Sequence, residues 1–300
     1  MTTTASPVDL EELIDNEVST RRRRRVDLAL VGGCSIVGFF VACALFAPWI
    51  APHDPNFQQV DGLNGIGPWA PFDTSSYPLG TDELGRDYLS RLIYGARVAI
   101  FIAVVPNAIA MVIATFVGVT AGYFRGRVET VLMRITETAM VLPAFLLALA
   151  LIAVAGSGLW VVVLALVLVS WTYAARVVYG EVLRIREATF IEAARALGAT
   201  SWRIILRHIT PQLRGLLVTY FTLNAAFMVL TEAGLGFLGF GIQPPTASWG
   251  AMIGASRDLL FWPWLIILPG VCLALLGIGF YLLGEGLQRR LGPRIQAGRL

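Results

Sequence analysis

The sequence predicts an all-α integral membrane protein, a six-helix transmembrane bundle, on three observations. Apolar residues make up 56% of the 300 and charged residues only 14%, against about 25% charged in an ordinary soluble domain. Mean hydropathy is +0.70, and the apolar residues come in blocks near the ~20 residues a helix needs to cross a bilayer. Arginine is concentrated on alternate connections, as the positive-inside rule requires.

Residues 1–27 form a polar cytoplasmic tail. Asp9, Glu11, Glu12, Asp15 and Glu17 give residues 1–20 the composition of a mobile segment. Arg21 to Arg25 then stand directly before the first apolar block, 28–50. That run reads as a topological anchor and not as a nucleic-acid arm. The block itself is too long for a signal-peptide core, so it is an uncleaved first span. Five further spans are expected over 98–123, 137–155, 159–179, 215–240 and 263–284 within a core of residues 98–284.

Six spans put both termini in the cytoplasm. The inner connections then carry Arg125, Arg127, Arg134, Arg184, Arg186, Arg195, Arg203, Arg207 and Arg214, and the tail, residues 285–300, adds Arg289, Arg290, Arg294 and Arg299. The outer segments carry only Arg86, Arg91, Arg97 and Arg257. The first of these, residues 51–97, opens as a Pro-, Gly-, Asn- and Asp-rich loop. It ends, from Asp87 to Arg97, as a short amphipathic helix with Leu89, Leu92 and Ile93 on one face and both arginines off it. The second, residues 239–262, mixes breakers with apolar residues and suits a re-entrant element packed in protein, because bare irregular backbone cannot face lipid. Pro106, Pro143, Pro269 and several glycines inside spans mark kinks or close helix approach.

The cytoplasmic connection over residues 180–214 is of a different kind. Its segment EAARALGATSWRIILRHITP, Glu192 to Pro211, is alanine- and arginine-rich between two apolar spans. Thr189 and Glu192 have capping-box spacing, which starts a helix after Thr189; Ala193, Ala194, Ala196 and Leu197 extend it. Gly198 is placed to end it in a left-handed conformation. Thr200 or Ser201 caps a second helix with Trp202, Ile205, Leu206 and Ile209 as its apolar stripe, and Pro211 breaks the pattern. On local physics the pair either seats in another protein's groove or lies on the membrane surface.

Several chemistries are excluded. All 23 basic residues are arginine, so the chain lacks the lysine of a phosphate-binding loop and of a Schiff base. Cys34, Cys43 and Cys272 lie in apolar blocks and read as small buried hydrophobes. His53 and His208, far apart, make a metal site improbable. No residue is assigned a catalytic role, and the chain itself is expected to bind no cofactor.

Acidic residues inside spans are functional candidates by default, because they are costly at membrane depth. Glu232, toward the outer end of the fifth span, either helps form an outer gate and pathway or binds a substrate amine, or else it caps the adjacent glycine-rich turn or pairs with an arginine of the bundle. Glu137 reads as a helix N-terminal charge favoured by the macrodipole, and Glu285 as an interfacial residue near Arg289.

Glu192, Ala193, Ala194, Gly198 and Pro211, with the proline 13 residues after the glycine, resemble the EAA loop of bacterial ABC importer permeases, roughly E-A-A-x(3)-G-x(9)-I-x-L-P. His208 and Thr210 depart from it where isoleucine and leucine are usual, which alters the apolar trim of the second helix and leaves the elbow intact. PLGTDELGRDYLSRLIYGARVAI (78–100), TEAGLGFLGFGIQPPTASWGAMI (231–253) and FYLLGEGLQRRLGPR (280–294) resemble the C-type permease subunit of dipeptide, oligopeptide and nickel importers. The resemblance runs from about residue 26 to 294 and leaves out the acidic tail.

It implies a type I importer permease fold in the bacterial inner membrane. The implied partners are a second related permease, two ATPase subunits carrying ATP and Mg, and an extracytoplasmic substrate-binding protein. Coupling to the ATPases would run through Glu192, Ala193, Ala194, Leu197, Gly198 and Pro211. Peptide is the expected cargo; a nickel chelate or haem-like cargo, or a secondary transporter that needs no ATPase, are the alternatives.

Overall fold

Helix dominates because long apolar runs in a bilayer must satisfy their backbone groups internally. The computed structural model describes residues 7–58, 76–257 and 261–291. Its helices are α1 (Pro7–Ile50), α2 (Tyr88–Phe124), α3 (Gly126–Val141), α4 (Ala144–Ala155), α5 (Leu159–Arg186), α6 (Thr189–Ala196), α7 (Ser201–Ile204), α8 (Thr210–Phe237), α9 (Trp249–Ala255) and α10 (Trp264–Leu291). Among the described residues, five segments are each long and apolar enough to cross a membrane: Leu28–Ile50, α2, α5, Ser201–Phe237 and α10. Counting α3 and α4 as one bent span makes six.

Several expectations need correction. The segment 1–20 is not a loose tail throughout, because α1 already begins at Pro7; no glycine interrupts the sequence before the apolar block. The amphipathic stretch Asp87 to Arg97 is no separate helix. No breaker stands between Arg97 and Val98, so it is the first part of α2, capped by the Asp87 carboxylate, which accepts from Leu89 N and Ser90 N. The third span is not a straight helix over 137–155. It breaks before Pro143, which has no N–H to continue a helix, and the two halves meet at 84°. Glu137 therefore lies in the second half of α3 and not at a helix N-terminus; its carboxylate sits 3.6 Å from Arg134 and 3.9 Å from Arg176.

The cysteines are free, but Cys34 is exposed and Cys43 and Cys272 are half-buried, so none is fully buried as expected. Glu285 does pair with Arg289, one turn on. Residues 292–300, which include the last two tail arginines, lie outside the described residues.

Packing explains the glycines. A Cβ on Gly118 would come within 2.7 Å of Ala175 O and one on Gly122 within 2.8 Å of Val182 Cγ1, so α2 and α5 cross backbone to backbone. Small residues four apart allow this approach between membrane helices. Gly250 and Gly254 do the same for α9 against α8, meeting Ala233 and the Phe237 carbonyl. Within the outer segment, α9 is thus packed against protein, as expected of an element at the membrane. One core joins α1, α2, α8, α9 and α10 around Phe40, Tyr88, Val229, Trp249 and Leu276. Another, around Val182, Ile191, Ile204, Ile209 and Leu213, holds the connection between α5 and α8 to the adjoining ends of α2, α5 and α8.

Candidate functional site

The connection between α5 and α8 folds as two short helices around a glycine elbow. α5 runs on to Arg186, leaving only Glu187 and Ala188 before α6. Ala188 is the N-cap in extended backbone, and Thr189 is already the first helical residue with no side-chain cap bond. The expected capping box is therefore not formed; Glu192 instead lies in the first turn of α6, where a negative charge favours the helix dipole. Gly198 has φ +82°, a left-handed value that a side chain disfavours. Its N–H donates to Arg195 O and the next amide, of Ala199, to Ala194 O, closing the C-terminus of α6 as expected. Thr200, and not Ser201, caps α7: its hydroxyl accepts from Arg203 N at 3.4 Å.

The second half departs from the sequence reading. The chain does not stop at Pro211. α7 passes into a wide π-type turn, Ile205–Ile209, in which Thr210 N–H reaches back to Ile205 O, and α8 follows with Pro211 in its first turn. Proline has no N–H and its ring crowds the carbonyl four residues back; the inserted residue relaxes that conflict, so the helix path continues. The same insertion splits the expected stripe. Ile205 and Ile209 are buried, while Trp202 and Leu206 are exposed along an apolar groove of about 550 Å³ that also touches Met111, Phe116, Val218 and Phe221.

Beside the proposed coupling residues, Ile191, next to Glu192, is fully buried and anchors α6. Glu192, Ala193 and Gly198 are exposed, and Leu197 is 89% exposed at the elbow. Ala194 is half-buried against the core beneath. Pro211 is exposed but stands apart from the others, past the π-type turn. The arrangement offers a small, mostly uncharged knob with one large apolar side chain at its tip. Such a knob can seat in a partner's groove.

The inner elbow between α2 and α3, which sequence reasoning missed, grips this connection. Arg195 of α6 lies 5.6 Å over the Tyr123 ring. Phe124 meets Trp202 of α7 edge-on at 6.3 Å. Arg125 reaches Glu187, just before α6, and Glu129 of α3, each at 3.8 Å. The carboxylate of Glu129 in turn accepts from the Tyr179 hydroxyl of α5. Arg125 has φ +55°, a conformation that side chains rarely adopt and that clusters at working joints.

At the outer end, Glu232 is 3% exposed and its Oε1 accepts from the Ser248 hydroxyl at 2.8 Å. Ser248 is also the N-cap of α9, accepting from Ala251 N. Beside it Trp249 donates through Nε1 to Leu92 O of α2 at 2.9 Å. Outside the membrane, Asp82 accepts from Arg86 Nε at 2.7 Å and lies 3.3 Å from Arg91 Nε. Arg91 also donates to Pro55 O. It is buried, although the helical pattern sets it off the apolar face. The clasp closes residues 80–88 over the start of α2.

Sequence and structure comparisons agree with this architecture. Residues 114–297 match the family of binding-protein-dependent transport system inner membrane components. Residues 19–76 match the N-terminal transmembrane domain of oligopeptide transport permease C. The chain is 36% identical over 279 residues, 92% of its own length and 90% of the relative's, to the glutathione transport system permease protein GsiD of Pectobacterium atrosepticum. It is 36% identical over 268 residues, 89% and 88% of the two lengths, to the di/tripeptide transport system permease protein DppC of Pseudomonas aeruginosa. In fold it resembles a chain of the inward-facing MetNI methionine ABC transporter, with TM-score 0.58 and 20% identity over 68% of this chain and 97% of that one. The helical bundle has the type I permease fold, and the chain belongs to the family of binding-protein-dependent ABC importer permeases, in its oligopeptide C-type branch.

Proposed function

We propose that this chain forms half of the wall of a peptide-import pathway and receives its driving motion at α6. A second related permease supplies the other half. Two ATPase subunits, which carry the ATP and Mg, dock on the cytoplasmic face, and an extracytoplasmic binding protein delivers cargo. The chain performs no bond chemistry of its own. Both termini lie in the cytoplasm of the bacterial cell, which puts the arginine-rich connections and α6 on the ATPase side.

The observation that carries this reading is the exposed elbow Glu192 to Gly198, with Leu197 89% exposed on a helix otherwise anchored by Ile191. An apolar tip held out on a fixed base suits a groove. Closure of the ATPase pair pushes the knob, and the spans respond by rocking between packed alternatives, since cores are bistable and not continuously deformable. Glu232 acts here by holding α9 to α8 at the outer end and so belongs to the gate's frame. The cargo is a short peptide: relatives that span most of this chain's length are named for glutathione and for di- and tripeptides.

Co-purification from membranes tests the docking, and uptake of a labelled dipeptide by the reconstituted assembly tests the cargo. Leu197→Asp is expected to release the ATPase while the two permeases stay together. An ATPase that remains bound to Leu197→Asp places the docking elsewhere.

A further inference from the structure

We propose that α2 is the rod that carries the coupling motion to the outer face, with Tyr123, Phe124 and Arg125 as positioning residues that clamp the coupling helices to its inner end. This inference rests on the docking at α6 proposed above and names the path that the motion takes from there.

The chain connects α6 directly to α5 and, through α7, to α8, so those two helices are the obvious carriers. Neither connection is continuous helix, although Ile191 and Ile204 pack with Val182 of α5 and Leu213 of α8. Between α5 and α6 stand only Glu187 and Ala188, with Ala188 in extended backbone. Between α6 and α8 stand the Gly198 elbow and the wide π-type turn over Ile205–Ile209. At both places the chain bends between α6 and the span that follows or precedes it.

α2 is gripped instead by three consecutive residues that reach three parts of the connection. Tyr123 lies under Arg195 of α6, Phe124 against Trp202 of α7, and Arg125 opposite Glu187 at the entry to α6. The two short helices can turn about Gly198 only by breaking one of these contacts or by taking α2 along. The left-handed backbone at Arg125, φ +55°, is what aims the third residue of the grip back across the joint.

α2 is 37 residues long with Tyr123 and Phe124 at its inner end, about 55 Å at the helical rise, enough to cross the whole bilayer. On the way it is tied to α8: the buried Asn107 donates to Phe221 O and accepts from Asn224 Nδ2, both at 2.8 Å. At the outer end its Leu92 carbonyl accepts from Trp249, whose neighbour Ser248 holds Glu232. The Trp249 ring packs so closely that a Cβ on Gly95 would lie 2.5 Å from it. One continuous helix thus joins the cytoplasmic knob to the outer element α9.

The test uses the complete importer in proteoliposomes, with Cys34, Cys43 and Cys272 replaced by alanine. Tyr123→Leu combined with Arg125→Gly removes the cation–π contact and the ion contacts while glycine accepts the backbone at 125. The ATPase should still co-purify, and dipeptide taken up per ATP hydrolysed should fall about fivefold or more, the scale of the lost contacts. Unchanged uptake per ATP in a variant that assembles overturns the inference.

A second arm does not depend on weakening the fold. Tyr123→Cys with Arg195→Cys, bridged by a short bifunctional thiol reagent, fixes α6 to α2. If the two move as one body, bridging leaves uptake intact or restores what the lost Tyr123–Arg195 contact took away; uptake abolished by bridging, with the ATPase still bound, means that they must separate and removes the rod. Failure of the unsubstituted chain to retain any ATPase instead sinks the docking at α6, and the inference falls with it.

Discussion

The Ser248 hydroxyl donates to the Glu232 carboxylate at 2.8 Å while the same oxygen caps α9, so one side chain fastens a re-entrant helix to a membrane span. The carboxylate needs a donor at that depth, and Ser248 is it. Ser248→Ala removes the cap and leaves the carboxylate without that donor, a cost of about 1–3 kcal/mol. It should lower the thermal midpoint of the detergent-solubilised chain. Glu232→Gln keeps an acceptor for Ser248, and dipeptide uptake should stay within about twofold of the unsubstituted importer. Lost uptake at an unchanged thermal midpoint would instead place the charge itself in the pathway.

Gly198 turns the chain between α6 and α7 at φ +82°, with open space where a Cβ would stand. Sterics therefore forbid nothing there except the backbone conformation. Gly198→Val imposes about 1–2 kcal/mol on the elbow alone. The spans should keep their stability, while ATPase co-purification falls. A thermal midpoint that drops together with ATPase binding would show that the elbow is part of the global fold.

These two sites mark what the sequence could and could not convey. Gly198 was legible because a glycine after a helical alanine run has a local meaning, and the spans were legible because apolar length is itself the physical requirement. Ser248 as the partner of Glu232 was not, since sixteen residues and a chain reversal separate them. The grip of Tyr123, Phe124 and Arg125 was equally hidden, because each contact depends on how α2 lies against a connection some seventy residues later. Pro211 misled for a definite reason: proline reads as a stop, but a widened turn just before it lets the helix path continue. Arg91 misled because helical periodicity placed it off the apolar face, and only the folded loop above brings Asp82 and Pro55 to it.

Gly118 and Gly122 let α2 and α5 touch through their backbones, with Val178 and Val182 closing over them. A methyl at Gly118 would stand 2.7 Å from Ala175 O and 2.8 Å from Val178 Cβ, and neither neighbour is a flexible side-chain tip. Gly118→Ala should therefore cost about 1–3 kcal/mol through overpacking. Gly277→Ala, on α10 where nothing lies within 4 Å, is the matched control. Thermal unfolding of both variants in detergent checks the pair; equal midpoints would mean that the two helices have room to part.

Asp82 holds the outer clasp together, with Arg86 Nε at 2.7 Å and Arg91 Nε at 3.3 Å from one carboxylate oxygen. All three side chains are buried. Removing the anion from a buried group of this kind costs about 3–5 kcal/mol, because the cations lose their compensation. Asp82→Asn should loosen residues 80–88, seen as earlier proteolysis of the outer segment in right-side-out vesicles. Cleavage at the unsubstituted rate would mean that the Asp87 cap and the Pro55 contact hold the segment unaided.

Glu83, next to Asp82 and outside the membrane, supplies a pH test. Burial raises its pKa above the usual glutamate range, the Asp82 charge raises it further, and Arg86 and Arg91 offset only part of this. A carboxyl with a raised pKa in the folded state holds its proton better there than in the unfolded chain. Its ionisation therefore subtracts stability as pH rises from the unfolded value through the folded one, and below both values the penalty vanishes. Glu83→Gln removes the ionisation. The variant should melt later than the unsubstituted protein near neutral pH and together with it at acid pH, when midpoints are recorded across that range. A gain that persists unchanged into acid would assign the effect to packing of the amide, and a loss near neutrality would mean that Arg86 and Arg91 need the second carboxylate.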